Sequence, residues 1–212
     1  MYKFYFFALC LLLLTACTST PNIKSDYLLN ANSSSGVMLA SIEYVGKYSG
    51  YSVSFSDIPY SKNWHIQFGE GMALIPIPPK GDFSEYGSKG ELFAIELKEG
   101  EYQINSWKVF SGYATISPVS PISIKFKIEP GKATYIGNFT FTQTNSLGLT
   151  VTGVSVTYSS KFERDKDVLT KKYPYVLNEN IILGVFPDTI IEGLGGSGET
   201  SWDLPIVVLP QT

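Results

Sequence analysis

The chain offers few groups that do chemistry by themselves. Its two cysteines, Cys10 and Cys17, both lie within the first 17 residues, and His65 is its single histidine. A thiol is a nucleophile and can take a lipid. An imidazole can act as base or metal ligand, but metal sites draw on clusters of His, Cys and carboxylates. In "WHIQF", Trp64, Ile66 and Phe68 alternate, which turns His65 and Gln67 to the other face as solvated or rim residues. A Ser–His–acid hydrolase would need His65 together with a G-x-S-x-G elbow, and none exists; "YGSKG" and "GGSGE" each lack one glycine. "PGKAT" looks like a phosphate loop but has Phe126 where the pattern needs glycine, and an extended segment follows it. Asp165 and Asp167 lack the glycine and the distal glutamate of a calcium loop. Carboxylates brought together by folding remain the one route to catalysis, as in glycan hydrolysis. No catalytic residue, metal site or cofactor site is assigned from the sequence.

Aromatic residues are the more suggestive feature. Tyr44, Tyr48, Tyr51, Phe55, Tyr60 and Trp64 crowd "YVGKYSGYSVSFSDIPYSKNW". Exposed rings stack on sugar faces or anchor protein partners. Tyr44, Tyr48, Tyr51 and Tyr60 are the candidate binding surface, for a glycan or an envelope protein. The competing reading is that these rings fill a core without disulfides, and it is the favoured one. Tyr48, beside Gly46 and Gly50, is the best placed for a loop, whereas Trp64 is expected to pack inward.

These groups must be positioned by β structure. In "ISIKFKIE", Ile122, Ile124, Phe126 and Ile128 share one face, with Ser123, Lys125, Lys127 and Glu129 opposite. "EPGK" suits a type II turn. "KATYIGNFTFTQ" then resumes extension, with Ala133, Tyr135, Phe139 and Phe141 expected on one face. Further strands are expected at 37–44, 51–58, 64–68, 72–77, 91–97 and 101–107, and in "ENIILGVF" and "LPIVVLP". Between 147 and 158 the apolar phase slips at Gly153, as at a β-bulge. Ser160 and Glu163 form a capping-box pattern that opens a helix at about 161–173, with Phe162, Leu169 and Tyr173 on one side and an Asp167–Lys171 pair across one turn. "GLGGSGE" reads as a mobile loop. The expected fold is mainly β, an antiparallel sandwich of immunoglobulin-like or transthyretin-like kind with this one short helix.

The N-terminus reads as an address. Lys3 precedes an apolar run of 11 residues, Phe4 to Leu14. That is too short to span a bilayer, which takes about 20, and fits the h-region of a signal peptide. "LTAC" (14–17) follows and resembles the lipobox of bacterial lipoproteins. The resemblance implies diacylglycerol on Cys17, cleavage before it and acylation of the new amine, so that the membrane is held through lipid. Thr18 in place of Asp implies the outer membrane. A second resemblance covers roughly residues 90–142. There "GEYQI" and "FKIEPGKATYIGNF" are similar to β-sandwich domains of uncharacterised bacterial lipoproteins; it supports the fold and implies no catalytic residue. The expected organisation is a signal peptide (1–16), lipidated Cys17 with a polar tether to 36, and a single β-sandwich domain over 37–212, with two subdomains as the alternative. A flexible tether of that length would reach about 25 Å; the alternative is that Tyr27, Leu28 and Leu29 dock on the domain. Cleavage removes Lys3 and no acid, leaving 15 basic against 19 acidic residues and a mature charge of −4. That balance, with no basic run, argues against nucleic acid. The mature chain can form no internal disulfide. The function expected is a non-enzymatic binding or structural module of the envelope; the alternatives are an accessory lipoprotein of a secretion or assembly machine, or a carboxylate-based glycan hydrolase.

Overall fold

Nine consecutive buried residues, Gly36 to Tyr44, mark β1 (Ser35–Val45) as a strand covered on both faces. In the computed structural model, which describes residues 19–30, 32–71, 78–176 and 180–203, it sits inside a sheet. Its neighbours are β4 (Lys89–Lys98), antiparallel, and β8 (Ala133–Leu147), parallel. The sheet continues to β9 (Thr150–Ser159) and β11 (Ile190–Ile191), and β10 (Ile181–Leu183) pairs with the start of β8. The second sheet orders β12 (Gly198–Trp202), β6 (Ala114–Pro118), β5 (Gly100–Ser111), β2 (Gly50–Asp57) and β3 (Asn63–Phe68), and β7 (Ile124–Ile128) also pairs with β5. The two sheets face each other as a β-sandwich, antiparallel except where β8 meets β1 and β10. The expected strands 72–77 and 204–210, the signal peptide and Cys17 lie outside the described residues.

Tyr51, Trp107 and Phe141 meet at the centre of the core. The Phe141 ring lies 5.3 Å from Tyr51 and 6.0 Å, edge-on, from Trp107. The alternation in "ISIKFKIE" is realised: Phe126 and Ile128 are buried while Lys125 and Lys127 are exposed. The turn after it forms as its residues dictate. Gly131 takes φ 64° and the Lys132 N–H donates to the Glu129 carbonyl at 3.2 Å. The repeated acid–glycine turns at Glu99-Gly100 and Glu129–Gly131 carry the chain from one sheet to the other, β4 to β5 and β7 to β8.

Several expectations are corrected. Tyr135 does not share a face with Phe139 and Phe141. Gly137, at φ 111°, falls where β8 slips one residue against β1, so the pleat reverses between them. Tyr135 therefore meets Phe162 of the helix, and Phe141 meets the second sheet. Leu147 and Leu149 do not open a strand; they flank the β8–β9 turn and are exposed. The slip expected at Gly153 is present, opposite Asn145. The helix is α1 (Phe162–Lys172), but the capping box is not formed: Lys161 is the N-cap and no side chain caps it. Lys171 bonds to Glu85 rather than to Asp167. The stretch "GLGGSGE" is pinned, not loose: the buried Trp107 indole donates to the Leu194 carbonyl at 2.8 Å, and the Leu194 N–H to Val156 at 2.7 Å. Its last residues begin β12.

The opposite side of the sandwich, where β3 and β4 are edge strands, is closed by the N-terminal segment. The Thr20 N–H donates to the His65 carbonyl at 2.9 Å and the Ile23 N–H to the Ala94 carbonyl at 2.8 Å. The Asn22 amide returns two bonds, accepting from the Ala94 N–H at 2.8 Å and donating to Glu91 at 3.2 Å. Ile23, Tyr27 and Leu29 pack against the core. From Thr20 onward the expected tether is thus a docked strap, which satisfies edge groups that would otherwise invite pairing with another chain.

Candidate functional site

The densest set of charged groups lies between α1 and the outer face of the first sheet. Alternation on β1 sends Met38, Ala40, Ile42 and Tyr44 toward the second sheet and presents Ser41 and Glu43 to the helix. The β8 slip brings Tyr135 and Asn138 to the same place. The first turn of α1 supplies Arg164 and Asp165, next to the N-cap Lys161.

One guanidinium ties the cluster together. Arg164 Nη1 donates to Glu43 Oε2 at 2.7 Å, while Nε and Nη2 donate to Asp165 Oδ1 at 2.9 and 2.7 Å. Nη2 also donates to Asn138 Oδ1 at 2.8 Å. Asp165 Oδ2 accepts from Ser41 Oγ at 2.6 Å and from the Tyr135 hydroxyl at 2.7 Å. The Phe83 ring covers the guanidinium at 3.8 Å, a cation–π contact, and Lys161 Nζ closes on Glu43 Oε2 at 2.5 Å. The Asp165 side chain is 1% exposed and that of Glu43 is 8% exposed.

Burial pushes the Asp165 carboxyl up, against the pull of Arg164 and the two hydroxyls. Burial also pushes Glu43 up, but Lys161 and Arg164 outweigh it and hold it below the ordinary carboxylate value. Burial of the Tyr135 phenol, beside Asp165, raises its pKa far above normal. These are two carboxylates of different affinity side by side, the ingredients of acid–base catalysis. Yet the Asp165 oxygens have four protein donors between them, and both carboxylates are buried against the helix and sheet. The arrangement fixes the helix to the sheet. A second, smaller clamp does the same at the C-terminal end of α1, where Lys172 Nζ bonds to Asp82 at 2.9 Å and Glu91 at 2.8 Å.

The aromatic segment is mostly core. Tyr44 and Tyr51, taken from sequence as part of a binding surface, are buried and stacked with centroids 4.8 Å apart. Both occupy inward positions of their strands, so neither can meet a ligand. Tyr48 is half-buried, and its hydroxyl accepts the Glu70 N–H at 3.0 Å. Tyr60 alone of the four is exposed, at 57%, although its hydroxyl donates to Gln103 Oε1 at 3.1 Å, and it holds φ 71°, the one non-glycine positive φ among the described residues. Trp64 is half-buried, stacked on Phe55 at 5.8 Å and tilted against Tyr102 at 5.7 Å. It walls an open cleft of about 450 Å³ at one end of the sandwich, rimmed by Asp57, Lys62, Lys98 and Glu101. The Lys62 N–H and the Ser61 hydroxyl both donate to the Asp57 carboxylate, which lowers its pKa. A ring edge beside mixed charges and backbone groups suits a polar ligand held by stacking and hydrogen bonds.

His65 lies on the outer face of the second sheet, opposite Ser54 on β2. Its pKa is lowered by partial burial and by Lys108 nearby. No group of three His, Cys, Asp or Glu that could hold a metal ion occurs among the described residues. No helix among them is long and apolar enough to cross a membrane.

No family model matches the chain, and no curated protein matches it. Among solved structures it is similar over 49% of its length to a leucine-rich repeat protein from Bacteroides thetaiotaomicron, at 13% identity and a TM-score of 0.27. The chain spans 13% of that protein's length. A likeness this slight carries no argument about fold or activity.

Proposed function

We propose that the protein is a lipid-anchored envelope lipoprotein whose β-sandwich acts as a non-catalytic binding or structural module. The observation that carries this reading is "LTAC" at 14–17, directly after an apolar run too short to span a bilayer. Lipid on Cys17 holds the mature chain to the membrane, and Thr18 in place of Asp favours the outer membrane. The buried Glu43–Arg164–Asp165 cluster supports a non-catalytic domain, because its carboxylates are committed to holding α1. The cleft beside Trp64 and the exposed ring of Tyr60 are the places where a glycan or an envelope protein would bind. Labelled palmitate fed to the cells tests the anchor: incorporation into the wild type and none into Cys17→Ala is expected, and equal labelling refutes it.

A second reading, an accessory lipoprotein of a secretion or envelope-assembly machine, is favoured by exposed apolar side chains. Leu147 and Leu149 at the β8–β9 turn are 69% and 78% exposed, and Phe186 and Ile190 beyond β10 are 84% and 68% exposed. Apolar residues so exposed are the material of protein interfaces. Co-purification of a defined partner after mild detergent extraction, lost in Leu149→Asp or Phe186→Asp, selects this reading over the free module.

A further inference from the structure

We infer that the β3–β4 edge of the sandwich faces the bilayer and is held against it, so that the domain works at the lipid surface rather than at the end of a tether. The inference rests on lipidation of Cys17. Its second support is the docked strap. Only Thr18 and Ser19 separate Cys17 from Thr20, whose N–H is bonded to the β3 backbone at His65. Three residue steps reach about 11 Å at full extension. The flexible reach of about 25 Å expected for a free tether is therefore lost.

The strap stays down for physical reasons. Its backbone and the Asn22 side chain satisfy edge groups of β3 and β4, and Ile23, Tyr27 and Leu29 bury apolar surface against the core. Releasing it would expose those side chains and reopen both sheet edges. The chain beyond the strap forms β1, which pairs with the edge strand β4 that the strap covers. The opposite edge of the second sheet, β12, lies four strand spacings from β3, about 19 Å farther away when the sheet stands edge-on. The face so placed at the membrane includes the β3 end of the Trp64 cleft.

Loss of the only free thiols on maturation makes the test clean. Asn63 on β3 and Glu199 on β12 are both exposed, and each can be replaced by cysteine and labelled with a fluorophore. The purified full-length lipoprotein is reconstituted into vesicles of phosphatidylethanolamine and phosphatidylglycerol that carry headgroup-nitroxide lipid. The expected result is loss of fluorescence for Asn63→Cys and retention for Glu199→Cys. A flexible Gly/Ser insertion of about 12 residues between Ser19 and Thr20, with a reach of about 19 Å, should restore the Asn63→Cys signal. Equal quenching at the two positions, or quenching indifferent to the insertion, overturns the inference while the protein remains vesicle-bound. Failure of the protein to carry lipid and to bind vesicles at all overturns the lipoprotein reading, and the inference with it.

Discussion

Arg164→Met removes the one cation that neutralises both buried carboxylates of the cluster. Methionine keeps much of the side-chain volume and its contact with Phe83, so the loss is mainly electrostatic. Asp165 keeps Ser41 and Tyr135 as donors, and Glu43 keeps only Lys161, whose side chain is 35% exposed. Stranding a buried charge by deleting its partner costs about 3–5 kcal/mol. For a domain of this size that is a fall in Tm of about 6–20 °C. Urea melts at pH 7.5 and pH 5 separate charge from packing. Without Arg164 the two carboxyls take up protons more readily, so the penalty should shrink at the lower pH. Adding Glu43→Gln and Asp165→Asn to Arg164→Met should recover part of the loss, and Arg164→Lys, which keeps the charge and loses the fork, should cost less than methionine. A loss below about 1 kcal/mol, or one that does not change with pH, would refute the picture of a buried clamp.

Trp107→Phe leaves the Leu194 carbonyl without its donor and should cost about 1–3 kcal/mol, with faster proteolysis in 193–197; an unchanged urea midpoint would mean that the loop is not pinned. Tyr60→Gly relieves a left-handed backbone but deletes the bond to Gln103 and adds unfolded-chain entropy, so it should stay within about 1 kcal/mol of wild type, while Trp64→Ala, which removes a stacked ring, should lose about 3 kcal/mol; the ranking is read from the same melts. Groups with lowered folded pKa values set the acid limb of stability, Asp57 and Glu85 among them. His65 has a folded pKa below 6.5 and Glu43 one below 4.5, so in both cases the unfolded chain binds protons first. The His65 contribution should be complete above about pH 6.5 and be lost as pH falls through its folded value, with the Glu43 contribution lost at lower pH; NMR titration of the single imidazole checks the upper step, and a His65 pKa at or above 6.5 would contradict it.

Local pattern made the strands legible where one face meets solvent, as in β7, where lysines alternate with Phe126 and Ile128. It also showed the EPGK turn and the irregularity at Gly153. It could not show β1 as doubly covered, because what covers its outer face comes from α1 and Phe83, far along the chain. The Glu43–Arg164 contact joins positions 121 apart, which no window of sequence contains. A signal was present all the same: Glu43 is the one charged residue in the apolar run of β1, and a buried charge demands a partner. The face of Tyr135 departs from the period-two expectation because a single-residue slip at Gly137 inverts the pattern without altering composition. The N-terminal strap is legible only in part, through the apolar Tyr27 and Leu29 that dock. A polar Ser/Thr/Asn stretch reads as linker, and only the open β3–β4 edge gives its backbone somewhere to bond.

Lipid anchoring makes Cys17 the modified first residue of the mature protein. Intact-mass and N-terminal peptide measurement on protein extracted from membranes tests it most directly. The expected species is a chain lacking residues 1–16, with a diacylglyceryl thioether and an acylated amine on Cys17. A chain that retains Met1, or a mature N-terminus with an unmodified Cys17, would contradict it.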